Sequence, residues 1–110
     1  MKIIVLHGDN SAKVYERLQR FVDVAKERGM RIERLDKNSN VVDSLSAQNL
    51  FSEKSLFVIS DISILDKKVL TWIKKEAGYL DTTLVIAHGG NLRKSLIDSL
   101  PPDTKIEEYK

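Results

Sequence analysis

Ile3-Ile4-Val5-Leu6-His7-Gly8-Asp9 is the stretch from which the fold can be read. Its first four residues are all apolar and mostly β-branched. With no polar residue alternating between them, a strand built from them needs cover on both faces, the mark of a central parallel strand. Gly8 ends the run. Asn10 or Ser11 can cap a following helix, in which Val14, Leu18, Phe21, Val22 and Ala25 recur at helical spacing. Gly29 closes that helix. A strand, a glycine turn and an amphipathic helix form the first half of a parallel crossover.

The alternation continues along the chain. Arg31 to Leu35 places Ile32 and Arg34 on one side and Glu33 and Leu35 on the other, which suits a strand nearer the sheet edge. Lys37 to Asn40 reads as a turn, and Val41 to Asn49 as a short helix with Val41, Val42 and Leu45 inward. Leu56 to Ile59 is a second buried strand. Asp66 is positioned to cap a helix whose inner face holds Val69, Trp72, Ile73 and Ala77, with Gly78 near its end. Leu84 to Ala87 is a third buried strand, broken by Gly89-Gly90. Asn91 is expected to cap a last helix carrying Leu92, Leu96, Ile97 and Leu100. Pro101-Pro102 stops it, and Thr104 to Tyr109 makes the final strand. The order βαβαβαβαβ predicts a three-layer α/β/α domain over residues 1–110, with a five-stranded, mostly parallel sheet and right-handed crossovers.

Composition narrows the function. Lysine and arginine exceed aspartate and glutamate by 18 to 16, an excess too small for a dedicated nucleic-acid binder. Zero cysteines exclude disulfide frameworks and thiol chemistry. Only four apolar residues follow Met1-Lys2, so no secretory leader is expected, and no apolar run approaches membrane length. A cytoplasmic protein without membrane partners is the expectation.

Three places at the carboxyl ends of the strands bear on chemistry. The loop Gly8-Asp9-Asn10-Ser11-Ala12-Lys13-Val14-Tyr15 has the position of a phosphate-binding loop but not its residues. That motif, G-x-x-x-x-G-K-[ST], needs a second glycine for the backbone to wrap phosphate, a lysine to neutralise it and a hydroxyl for magnesium. Lys13, Val14 and Tyr15 stand there instead, and Asp9 adds negative charge. Asp61 follows a buried strand where ATPases hold magnesium, but Ile62 replaces the usual glutamate base, and a cap or turn role is the simpler reading. Asp9 and Asp61 also permit a phosphoacceptor reading, although His88 and Lys110 do not supply the hydroxyl and lysine such a pocket needs. His7 and His88 each end a central strand; without a carboxylate pair or cysteine they make a poor metal site, and a hydrogen-bonded, partly buried histidine is the more frequent outcome. No catalytic residue, cofactor or metal is therefore expected. Lys13, Arg17 and Arg20 on the first helix, and Lys67, Lys68, Lys74 and Lys75 on the third, read as solvated faces.

Ser46-Ala47-Gln48-Asn49-Leu50-Phe51 is the remaining feature. Leu50 and Phe51 are adjacent, so one narrow helical stripe cannot hide both, and polar residues flank them. Such a pair can plug another protein's pocket; it can also be ordinary packing where a helix ends.

Taken together, Ile3 to Asp9, the segment Leu50-Phe51-Ser52-Glu53-Lys54-Ser55-Leu56-Phe57-Val58-Ile59, and Asn91-Leu92-Arg93-Lys94-Ser95-Leu96 resemble the delta subunit of the bacterial DNA polymerase III clamp loader, in corresponding order and spacing. The resemblance implies a P-loop NTPase/AAA+-like topology with a degenerate nucleotide site. It implies a non-enzymatic role in DNA replication, binding and opening the sliding clamp (the beta subunit) through an adjacent apolar pair. By position that pair is Leu50 and Phe51, with Ser46, Gln48 and Asn49 completing the clamp-binding peptide; its usual leading glutamine is replaced by Ser46. Family members continue into lid and collar domains, which this chain is expected to lack; the collar joins the other loader subunits. Contact with DNA is expected to be weak or indirect. The alternative is a small α/β nucleotide-binding or phosphoacceptor domain.

Overall fold

In the computed structural model, residues 2–38, 40–47, 54–76 and 82–110 are described, save the side chains of Ser46, Ala47 and Glu76. Five strands, β1 (Lys2–His7), β2 (Arg31–Leu35), β3 (Ser55–Ile59), β4 (Thr83–His88) and β5 (Lys105–Glu108), alternate with four helices, α1 (Ser11–Glu27), α2 (Val41–Ala47), α3 (Lys67–Glu76) and α4 (Lys94–Asp98). All paired strands are parallel, and the sheet order is β2-β3-β4-β1-β5.

That order determines the layers. The β1-to-β2 connection crosses β4 and β3 in one direction, whereas the next three connections run the other way. Right-handed crossovers therefore put α1 on one face and α2, α3 and α4 on the other. The core divides accordingly. Ile4, Leu6, Leu56, Val58, Val85 and Ala87 pack under Val14, Leu18, Val22 and Ala25 of α1. Ile3, Val5, Phe57, Ile59, Leu84 and Ile86 pack under Val41, Leu45, Val69 and Ile73, with Leu92 and Leu100. The central strand expected from Ile3 to Leu6 lies between β4 and β5, its apolar residues all buried. β2 is at the edge, as its alternation implied. The order also differs from the doubly wound 2-1-3-4-5 arrangement of flavodoxin and receiver-like folds, where β1 would lie beside β2.

Local chemistry sets most boundaries. Asn10 caps α1, its side-chain oxygen accepting from the Lys13 amide at 3.2 Å. At the other end the Gly29 amide donates to Lys26 and the Met30 amide to Ala25, the paired bonds of a glycine-terminated helix, with Gly29 at φ +72°. Asp66 caps α3 through the Val69 amide at 2.9 Å.

Three expectations need correction. The sheet is wholly rather than mostly parallel. Asn91 does not cap α4: the helix begins at Lys94, and Arg93 precedes it with no side-chain cap. The reason is Leu92, which is buried with its amide on His7; the chain must stay extended through Arg93 to hold it there. A 3-10 turn, Ile62–Ile64, also follows β3 where only Asp61 had been marked. Ala77 and Gly78 lie outside the described residues. Among the described residues, no helix is long and apolar enough to cross a membrane.

Gly8 and Gly29 separate two reasons for glycine. A Cβ on Gly29 meets nothing within 4 Å, so Gly29→Ala costs only its left-handed backbone, about 1–2 kcal/mol. A Cβ on Gly8, at φ +136°, would lie 2.0 Å from the Tyr109 carbonyl oxygen. Gly8→Ala is expected to cost more than about 3 kcal/mol. Urea unfolding with unchanged m-values tests the ranking; a Gly8→Ala protein as stable as Gly29→Ala would mean Tyr109 does not close over this turn.

Candidate functional site

β1 and β4 are neighbours whose chains leave to opposite faces, so the crevice between their carboxyl ends is the topological switch point, where open α/β sheets receive ligands. His7, Gly8, Asp9 and Asn10 form one side and His88, Gly89, Gly90 and Asn91 the other. A phosphate there would need free amides at the start of α1. This chain uses several of them itself. The Gly8 amide donates to the Gly90 carbonyl at 2.9 Å and the Asn10 amide to the Tyr109 carbonyl at 3.1 Å. The Lys13 amide goes to the Asn10 side chain and the Val14 amide to the Asn10 carbonyl at 3.1 Å. The Asn91 amide group donates to Asp9 Oδ1 at 3.1 Å, linking the two loops across the mouth. A Cβ on Gly89 would lie 2.9 Å from Ser11 Cβ, so the second loop rests directly on the first turn of α1.

The histidines are register partners and take different roles. His7 is 6% exposed, and its Nδ1 accepts the Leu92 amide at 3.2 Å. It is hydrogen-bonded as anticipated, but buried rather than partly buried. His88 is half-buried beside a wider groove of about 870 Å³ between α3, α4 and the 3-10 turn. Lys67, Lys74 and Arg93 line this groove with Asp61. Among the described residues, no group of three or more histidines or carboxylates is placed to hold a metal ion.

Asp61 acts locally. Its Oδ1 accepts from the Ser63 hydroxyl at 2.6 Å and the Ser63 amide at 3.0 Å, starting the 3-10 turn. These two bonds, the hydroxyl first, hold its carboxyl below the usual carboxylate range. The turn role anticipated for Asp61 is therefore present.

Leu50, Phe51, Gln48 and Asn49 lie outside the described residues. Ser46 falls in α2, and its side chain is likewise outside them. The flanking elements do have a place. α2 follows β2, and Lys54, whose carbonyl accepts the Arg31 amide at 3.1 Å, lies at the amino-terminal end of the sheet, opposite the switch-point crevice. The Asn91–Asp9 link escaped the sequence reading, because it spans 82 positions with no local signal, and the partner of the anticipated Asp61 turn, Ser63, follows the pattern of an aspartate two residues before a serine. Comparison with protein families, with curated proteins and with solved structures gave no match.

Replacing Ser63 tests the Asp61 turn. Because the folded carboxyl is depressed, its stabilising bonds are complete above the ordinary carboxylate value of about 3.9 and are lost as pH falls through its own lower value. Ser63→Ala removes the larger cause, so an NMR titration of the Asp61 carboxyl should move upward toward that ordinary value. Coincident wild-type and variant curves would rule the hydroxyl out as the cause.

Proposed function

We propose that this chain is the first, AAA+-like domain of a clamp-loader delta-type subunit, which grips a bacterial sliding clamp through Leu50 and Phe51 and hydrolyses no nucleotide itself. The observation that carries the reading is the strand order. Read from the other edge it is β5-β1-β4-β3-β2, which supports the AAA+-like arrangement that the resemblance implies. The described residues of the three resembling segments fall on β1 with its turn, on β3, and at the start of α4. The self-bonded amides after β1 support a decayed nucleotide site. The position of Lys54 at the amino-terminal end of the sheet supports a docking segment away from that crevice.

In this reading the domain works in the cytoplasm as a binding module. Burying a leucine and a phenylalanine contributes about 1.5–3 kcal/mol each, enough for the pair to dominate a small interface. Preference for the open or distorted ring over the closed one turns grip into opening.

The purified chain is expected to bind a bacterial sliding clamp in a titration followed by fluorescence anisotropy. Leu50→Ala with Phe51→Ala should weaken that binding at least about 100-fold, with thermal unfolding unchanged. Magnesium-ATP should give no heat in calorimetry. Normal clamp binding by the double variant would remove these residues from the site, and its unfolding would make them core. ATP binding would favour the nucleotide-binding alternative.

A further inference from the structure

A one-sided charge lies beside α1, at the amino-terminal end of the sheet. Two adjoining hollows of about 300 and 650 Å³ share Arg28, Met30 and Thr83. Lys2, Arg17, Arg20 and Arg28 line the first; Arg28, Arg31 and Lys54 line the second. Among the described lining residues there is no carboxylate. The groove at the other end of the sheet differs, since Asp61 sits among its cations.

The spacing shows how α1 builds this surface. Arg17, Arg20, Phe21, Val24 and Arg28 recur at three- and four-residue steps, a second stripe beside the buried Val14, Leu18, Val22 and Ala25. The stripe is basic at its rim and apolar between. Val24 is 40% exposed, and Phe21 and Met30 are half-buried over Ile4 and Leu56. Arg17 is already engaged: its Nε lies 3.4 Å from Glu107 and its guanidinium 4.8 Å over the Phe21 ring.

We infer that this face docks an acidic, amphipathic protein segment, with apolar side chains on Val24, Phe21 and Met30 and carboxylates on Arg20, Arg28, Lys2 and Lys54. Charge complementarity sets the sign of the partner. The apolar floor and the state of Phe21 set its class. A nucleic-acid strand would use an exposed ring as a stacking platform, and one face of this ring is covered by Arg17. An amphipathic helix instead presents leucine-type anchors at three- and four-residue steps, matching the stripe. The inference does not use Leu50 or Phe51 and stands apart from the clamp reading.

The probe is a fluorescein-labelled 18-residue peptide with leucines at helical spacing flanked by glutamates, titrated with the full chain and followed by anisotropy. Saturable binding is expected in about 20 mM salt and at least tenfold weaker binding in about 300 mM salt. Arg20→Glu with Arg28→Glu should weaken binding at least tenfold, as should Val24→Asp. Lys68→Glu with Lys75→Glu, on α3, should leave it unchanged, as should Leu50→Ala with Phe51→Ala. Circular dichroism checks that each variant folds; Arg20→Gln with Arg28→Gln replaces the charge reversal if that variant does not. The inference is overturned if the peptide fails to bind at low salt, if a glutamine-for-glutamate peptide binds equally, or if the α3 reversal has the same effect. It is also overturned if a 20-nucleotide oligothymidylate binds this face more tightly than the peptide.

Discussion

The placement of β1 between β4 and β5 is the constraint on which the rest depends. Val5 and Leu6 are fully enclosed and Ile3 and Ile4 nearly so, which only an interior strand covered on both faces allows. With β1 interior and β2 at the far edge, the first connection must run against the direction of the other three. Handedness then leaves α1 alone on its face. The same reversal makes the crevice at the carboxyl ends of β1 and β4 and leaves the flank of α1 without a neighbouring helix among the described residues. The ligand-type crevice and the exposed cationic flank thus follow from one fact of strand order.

The crevice is closed from within. Gly8 lets the chain turn against Tyr109, β5 extends its ladder by donating the Tyr109 amide to His7 at 2.8 Å, and the loop after β4 returns to bond Gly8. The Tyr109 hydroxyl also donates to Glu107 at 2.5 Å, and Glu107 faces Arg17 of α1. The hydrogen bond to Glu107, with burial and that carboxylate's charge, raises the tyrosine's pKa, which keeps the hydroxyl a donor across the neutral range. The end of β5, the start of α1 and the two glycine turns therefore form one polar network. A buried amide is costly when unpaired. Bonding these amides to Gly90, Tyr109 and Asn10 spares that cost without a bound anion, so the scaffold keeps its shape whether or not phosphate chemistry remains.

Much of this was legible in the residues because local rules and global burial agreed. Unbroken apolar runs marked β1, β3 and β4; helical spacing and asparagine, aspartate and glycine caps marked α1 and α3. The alternation in Arg31–Leu35 marked an edge. The failure at Asn91 has a physical cause: as a capping residue before an apolar stretch it carries a helix-start signal, but burial of Leu92 and the bond to His7 outweigh a cap worth about 1 kcal/mol. The candidate site was legible only as a failed phosphate loop. What closes it, Tyr109 and Gly90 reaching Gly8 and Asn10, joins residues whose contact depends on strand order, and no local pattern encodes that.

The two ends of the sheet differ in a way that bears on function. At the carboxyl end, polar groups turn inward and Asp9 and Asp61 put negative charge among the loops, each carboxylate engaged by a neighbour. At the amino end, cations gather around an apolar stripe with no described carboxylate among them. The carboxyl-end groove also holds Lys67, Lys74 and Arg93, so the two ends differ in the carboxylate set among the cations and not in the presence of positive charge. The two ends thus present different chemistry, bonded amides and engaged carboxylates at one and cations beside the exposed Val24 at the other. The sheet joins the two ends through strands covered on both faces, so the separation of the crevice from the cationic flank is set by the core.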